Sequence, residues 1–139
     1  MSELTIETFL TRRKVLFGDC DASKFMYAPR LSHYIVESVG EFMDRAFGRP
    51  HVRYAFEINV SLPCRALTSE FTRPMTWDDE VNVHAWVGEI GTKSFSIDVM
   101  GVNDDGLEMF KGRLAYVCVS METGKAMEIP EPWRNALES

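Results

Sequence analysis

Six apolar residues, Leu31, Ile35, Val39, Phe42, Met43 and Ala46, recur at steps of three and four. That period makes one apolar stripe and predicts a helix from Pro29 to Phe47. Proline suits the first turn, where its missing N–H removes nothing from the hydrogen-bond ladder. Gly48 followed by Arg49-Pro50 is a stop signal. Upstream, LTIETFLTRRKVLFGD (residues 4–19) alternates irregularly and is rich in β-branched and aromatic residues, which reads as a strand. Downstream the period changes to two. AFEINVSLPCRAL (55–67) reads as a strand with an edge or bend at Pro63. TSEFTRPMTW (68–77) leads to a turn at Asp78-Asp79. VNVHAWVGEI (81–90) puts Val81, Val83, Ala85 and Val87 on one side, and KSFSIDVMGV (93–102) does the same with Phe95, Ile97 and Val99. Asn103 to Gly106, NDDG, is a hairpin signal. EMFKGRLAYVCVS (108–120) is a further long strand, and ETGK (122–125) a turn.

A strand, one striped helix and a run of antiparallel strands imply an α+β arrangement, a curved antiparallel sheet wrapped around one long helix. The hotdog fold and the cone-shaped NTF2-like fold both have this composition, and the strand-first order favours hotdog. At 139 residues, without repeat or linker, the chain is expected to be one domain over residues 1–139.

Composition narrows the function classes. The chain is 45% hydrophobic, enough to bury a core at this length. Its formal net charge of −6 argues against a general nucleic-acid binder, which needs a basic face for phosphates. A local basic patch for a phosphorylated small molecule stays possible. The three cysteines, Cys20, Cys64 and Cys118, are odd in number and lack CxxC spacing. A disulfide framework or zinc site is not expected, and a reducing cytoplasm is the natural location. No signal peptide or membrane-spanning helix is expected either, since no sufficiently long apolar run occurs.

The chemistry concentrates in FGDCDASKFMYAP (17–29). Asp19 and Asp21 stand two residues apart, so in an extended chain they share a face. A helix start follows, offering free N–H groups and a partial positive charge. An acyl carbonyl needs such a donor for its developing charge, and a neighbouring carboxylate can attack it or activate water. The plainer role of Asp21 is to stabilise the turn into the helix. Asp19 is expected to bind loop backbone, with like-charge repulsion raising Asp21 as the alternative. Cys20, flanked by two carboxylates, is poorly placed to ionise. Cys64 and Cys118 read as core residues. His33 lies in the helix, His51 in a connector and His84 in a strand; all three read as structural or exposed.

Several segments carry a resemblance. Phe17-Gly18-Asp19-Cys20-Asp21, then Tyr27-x-Pro29 opening a helix, resembles the 4-hydroxybenzoyl-CoA thioesterase family of hotdog enzymes. Phe71-x-Arg73-Pro74, Trp77-Asp78-Asp79-Glu80-Val81 and Glu89-Ile90-Gly91-Thr92-Lys93-Ser94-Phe95 follow in that family's order. Thr123-Gly124-Lys125 through Ile129-Pro130 looks like its last turn and exit.

The resemblance implies hydrolysis of acyl-CoA with no metal or separate cofactor, coenzyme A being part of the substrate. It implies homodimers or homotetramers with the site at a subunit interface. Asp21 matches the catalytic carboxylate, and the Ala28 backbone N–H matches the oxyanion donor. Lys93 and Lys125 match positions that meet the CoA phosphates, with Arg73 and Arg113 as possible additions. Phe25, Met26 and Tyr27 would wall the acyl or pantetheine channel. Two departures stand out. Lys24 replaces the glycine of the family's Asp-x-x-Gly loop, where it could pair with Asp19 or Asp21. Val36 replaces the aspartate that recognises a phenol hydroxyl, so an aliphatic or non-phenolic acyl group is expected, since a buried phenol would lack a partner. The rival readings are a non-catalytic acyl-thioester binding protein, and a thioesterase or dehydratase acting on acyl groups held by a carrier protein.

Overall fold

Residues Ala28–Phe47 form a twenty-residue helix, α1, capped by Gly48 in the left-handed conformation. The computed structural model describes residues 8–139, the Phe9 side chain apart. The predicted first strand therefore falls partly outside the described residues, at Leu4–Glu7. Its described part is β1 (Phe9–Lys14). The other strands are β2 (Val60–Ser61), β3 (Cys64–Phe71), β4 (Glu80–Ile90), β5 (Ser94–Val102), β6 (Glu108–Val117) and β7 (Val119–Ser120). Five of them make one antiparallel sheet in the order β1-β4-β5-β6-β3, and β2 pairs with β7 beside it. This is the hotdog arrangement, a sheet curved around a central helix.

The helix stripe explains the curvature. Leu31, Tyr34, Ile35, Ser38, Val39 and Met43 are buried, while Phe42 is partly so. Against them the sheet turns Val81, Val83, Ala85, Phe95, Ile97, Val99, Phe110 and Leu114, all buried, from alternate positions of β4, β5 and β6. Contact is tightest at Gly112. A Cβ there would lie 2.1 Å from Ile35 Cδ1 and 2.6 Å from the Thr68 carbonyl. The absent side chain lets the helix descend onto the sheet.

Two helices were not foreseen. Ala55–Glu57, assigned above to a strand, belongs to α2 (His51–Glu57), and His51 opens that helix rather than sitting in a connector. At seven residues α2 is too short to show a helical period, and the apolar AF-x-INV run mimics a strand. Pro63 does break the predicted strand, separating β2 from β3. The second is α3 (Glu131–Glu138), held by Trp133 and Leu137, which are both buried. The Trp133 ring stacks on Phe47 at a 5.0 Å centroid distance and meets Tyr54 edge-on at 5.8 Å. Cys118 is buried as expected, but Cys64 is exposed, because it starts the edge strand β3.

Replacing Gly112 with alanine should lower the unfolding free energy by about 1–3 kcal/mol, the usual cost of overpacking. Urea denaturation will read this as a lower midpoint. An unchanged midpoint would mean that α1 can lift off the sheet freely.

Candidate active site

The chain leaves β1, makes one 3-10 turn at Phe17–Asp19, and doubles back before α1. Asp19 is buried and holds this passage together. Its Oδ2 accepts the Leu16 N–H at 3.0 Å and the Tyr34 hydroxyl at 3.1 Å, and its Oδ1 accepts Arg30 Nε at 2.9 Å. Its backbone carbonyl accepts the Tyr27 N–H at 2.8 Å. Arg30 continues to Glu37 at 3.2 Å, and Arg13 reaches Glu37 and Glu41. The Arg13 and Arg30 guanidinium groups lie 4.8 and 5.0 Å from the Tyr34 ring centroid. Burial alone would push the Asp19 carboxyl up. The Leu16 N–H, Arg30 and Tyr34 outweigh it and hold the group below its ordinary value. Burial and Asp19 together push the Tyr34 phenol up to about 12. Asp19 does bind loop backbone, and its charge is spent on Arg30 and Tyr34.

Asp21 is exposed and faces a different set of donors. Its Oδ1 accepts the Ser23 hydroxyl in a short hydrogen bond and the Ser23 N–H at 2.8 Å. These two bonds, the hydroxyl first, hold the carboxyl below the usual carboxylate range. The repulsion that would have raised it is not the governing effect. Lys24 takes the left-handed backbone shape, φ +76°, that glycine would adopt more easily. Its N–H bonds the Asp21 carbonyl at 3.0 Å, and its own carbonyl accepts the Thr76 hydroxyl at 2.6 Å. Among the described residues its ammonium pairs with neither Asp19 nor Asp21. The loop therefore keeps its shape through Ser23 and Thr76. An Asp followed two residues on by Ser is a readable turn signature; Thr76, Arg30 and Tyr34 gave no signal in the sequence.

At the helix start, Tyr27 occupies the cap position and Pro29 lies in the first turn. The Arg30 N–H returns to the Tyr27 carbonyl at 2.8 Å. Among the described residues the Ala28 N–H meets no acceptor, so it stays available at the positive end of α1. Burial, together with Asp19, Asp21 and Asp79, pushes the Cys20 thiol up, which disfavours its thiolate.

The remaining site residues fall into three places. Phe25 and Met26, with Phe71, Arg73, Pro74 and Met75, line a groove of about 190 Å³ beside the Asp21 loop, and Tyr27 is exposed nearby. The two are joined because the Asp21 N–H bonds the Phe25 carbonyl and the Met26 N–H bonds the Met75 carbonyl. Val36 opens onto another groove of about 330 Å³, with Ser32, His33, Glu37 and Leu67. Lys93 and Lys125 lie at the opposite end of the molecule. The Lys93 carbonyl accepts Cys118 N–H and the Lys125 carbonyl accepts Ser120 N–H, next to the Cys64 end of β3. Asp21 sits near the Phe71 end. The eight residues of β3 separate the two ends by about 25 Å at the usual strand rise.

Arg73 and Arg113 do not join the lysines. Arg73 donates to the Glu108 carbonyl at 2.6 Å, at the Asp21 end. Arg113 grips Asp98 through two bonds of 2.6 and 3.1 Å on the outer sheet face. Among the histidines, His33 is exposed, and burial pushes His84 down beside Thr8. His51 bonds Asp44 through Nδ1 at 2.6 Å, a pairing hidden from the sequence because α2 was. Among the described residues there is no group of three or more His, Cys, Asp or Glu able to hold a metal ion.

A hotdog sheet carrying a carboxylate loop against the start of its central helix defines a class, and comparison supplies the family. Residues 15–137 match the family model described as the thioesterase-like superfamily, and the chain belongs to that superfamily. It is similar to a thioesterase-superfamily protein from Jannaschia sp. CCS1, at 28% identity and a TM-score of 0.85, covering 99% of this chain and 96% of that one. It also resembles in fold a 1,4-dihydroxy-2-naphthoyl-CoA thioesterase from Synechocystis, at 17% identity and a TM-score of 0.83, covering 94% and 96%. A Staphylococcus aureus protein, SAV2348, solved in complex with CoA, matches at 12% identity and a TM-score of 0.86, covering 99% and 86%.

Asp19→Asn should cost about 1.5–3 kcal/mol, the range for hydrogen bonds to a charged group. Because the folded-state value is lowered, wild-type Asp19 contributes fully above the ordinary carboxyl range. That contribution is lost as pH falls through the lowered value. The melting temperature of the variant should therefore fall less steeply with acid than that of the wild type. Parallel curves would show that Asp19 is not the stabilising charge.

Proposed function

We propose that the protein is an acyl-CoA thioesterase in which Asp21 performs the chemistry and the Ala28 N–H receives the oxyanion. The observation that carries this is an exposed carboxylate, kept ionised by Ser23, on the loop that leads into a helix start with an unused N–H. Membership of the thioesterase-like superfamily supplies the reaction class. With the thioester oxygen on the Ala28 N–H, Asp21 either attacks the carbonyl carbon or takes a proton from an attacking water. In the first route a C–O bond forms, the C–S bond breaks with the electron pair leaving on the CoA thiolate, and water then hydrolyses the mixed anhydride. In the second, water adds directly and the same C–S bond breaks. A carboxyl held below its ordinary value suits both roles and does not suit a proton donor.

The phosphates of CoA are read by Lys93 and Lys125, and their distance from Asp21 supports a site in which the partner subunit supplies these lysines. β3 pairs with β6 on one side, and among the described residues its outer edge is unpaired. Two such edges joined antiparallel about a two-fold axis bring the Phe71 end of one protomer to the Cys64 end of the other. The working form is a homodimer or a homotetramer, its location the cytoplasm, and no cofactor is needed beyond the CoA of the substrate. Val36, exposed on α1, favours an aliphatic or non-phenolic acyl group. Thr76 and Ser23 hold Lys24 in the left-handed shape, which supports turnover over passive binding.

Thiol release should be measured over short, medium, long and aromatic acyl-CoAs. Asp21→Asn should lower kcat by at least about 10²-fold with folding intact. Retained turnover would remove Asp21 from the reaction. Hydrolysis of carrier-bound thioesters alone would replace CoA as the handle.

The rate should fall toward acid as Asp21 protonates. Ser23→Ala removes the main cause of its lowered value, so the acid limb should move to higher pH, toward the ordinary carboxyl value of about 4. An unmoved limb would mean that another group titrates.

Asp21→Asn and Lys93→Ala subunits, refolded together, should recover activity that neither has alone, since one site in each mixed dimer is intact. No recovery would place both residues in one protomer's site.

A further inference from the structure

The turn between β4 and β5 consists of Gly91, Thr92 and Lys93, closed by a 2.7 Å bond from the Gly91 N–H to the Ser94 carbonyl. Its three carbonyls are all occupied from elsewhere in the chain. Arg134 Nη2 donates to Gly91 O at 2.6 Å and to Thr92 O at 3.3 Å. The Ile129 N–H donates to Thr92 O at 3.0 Å, and the Cys118 N–H to Lys93 O at 2.8 Å. Among the described residues the Thr92 and Lys93 N–H groups meet no acceptor, and Arg134 forms no ion pair with an acidic side chain. Its charge is directed at the turn.

Arg134 can do this because its backbone is fixed. It follows Trp133, which is fully buried, stacked on Phe47 and edge-on to Tyr54. Its own N–H bonds the Pro130 carbonyl at 2.9 Å. Burying an apolar face of α3 would need only Trp133 and Leu137, so packing alone does not explain a guanidinium aimed at two carbonyls.

We propose that Arg134 is a positioning residue for the nucleotide end of the substrate. Together with the Ile129 and Cys118 N–H groups it fixes the Gly91–Lys93 turn with its carbonyls bonded inward, Arg134 itself holding the Gly91 carbonyl, so that the Lys93 ammonium and the unused N–H groups meet the phosphates. This rests on the reading of Lys93 as a phosphate contact. A turn whose carbonyls were free to rotate outward would present negative dipoles to an anion and would lose entropy on binding. Arg134 removes both costs before the ligand arrives.

The test uses calorimetric binding of CoA, which does not depend on turnover, and kinetics on one acyl group carried by CoA or by N-acetylcysteamine, which lacks the nucleotide. Arg134→Ala should weaken CoA binding and raise KM for the CoA ester about 5- to 10-fold, with kcat and the N-acetylcysteamine ester unaffected. Arg134→Lys, which keeps a charged donor, should recover part of the loss. Lys93→Ala with Arg134→Ala should be no worse than Lys93→Ala alone, because one acts through the other. Equal damage on both esters, or additive effects, would make Arg134 an ordinary structural residue and overturn the proposal. Should Arg134→Ala fail to fold, Arg134→Gln keeps one donor and decides by the same comparison. If Lys93→Ala leaves CoA binding unchanged, the phosphate reading fails and takes this one with it. If Lys93→Ala weakens binding and Arg134→Ala does not, only the positioning role fails.

Discussion

The stripe along α1 must be buried, and one helix cannot bury it alone. A sheet of three central strands supplies the surface, and it has to curve because the helix is round and the contact at Gly112 is close. From this constraint the rest follows. Curving the sheet around one face leaves the other face of α1 partly open, with Val36 exposed, and leaves β3 as an edge strand with its outer side and its side chains exposed. A long unpaired edge is a template for another strand. The same packing that forms the core therefore leaves exposed the edge on which the proposed dimer would form.

The second constraint is electrostatic. The passage from β1 into α1 has to bring a carboxylate to the helix start without leaving it to repel its neighbour. The chain solves this by giving the two aspartates different environments. Asp19 is buried and neutralised by Arg30, Tyr34 and the Leu16 N–H, and so becomes part of the frame. Asp21 stays outside with Ser23 as its partner, ionised and accessible. Two carboxylates two residues apart thus differ in role because burial differs, not because sequence position does.

Much of this was legible. The period of α1, the stop at Gly48, the turn at Asn103–Gly106 and the break at Pro63 each follow from local chemistry, and each stands in the fold. The Asp21 loop was legible as a motif. What escaped was short or long-range. The helix α2 spans too few residues to show a period, and α3 depends on Trp133 finding Phe47 and Tyr54, which lie about eighty residues and more away along the chain. The Asp19–Arg30–Tyr34 bonds and the Thr76–Lys24 bond are tertiary contacts with no spacing rule to announce them. The fates of Arg73 and Arg113 were hidden for the same reason: a guanidinium reads as free until its acceptor, here Glu108 or Asp98, is placed.

The distribution of charge bears on how an acidic protein would hold the polyanionic end of the proposed substrate. A net charge of −6 repels phosphates at long range, but screening confines that repulsion to about 8 Å at physiological salt. Within that range only local cations matter. Most of the guanidinium groups near the Asp21 loop are already committed, Arg13 and Arg30 to Glu37 and Asp19. Lys93 and Lys125, which among the described residues have no carboxylate partner, stand instead at the far end of β3, beside the turn that Arg134 braces. A protomer built this way separates the Asp21 carboxylate from Lys93 and Lys125 by the length of β3. On the function proposed above, a single extended substrate reaches both where a second protomer, turned end for end, supplies what the first has placed out of reach.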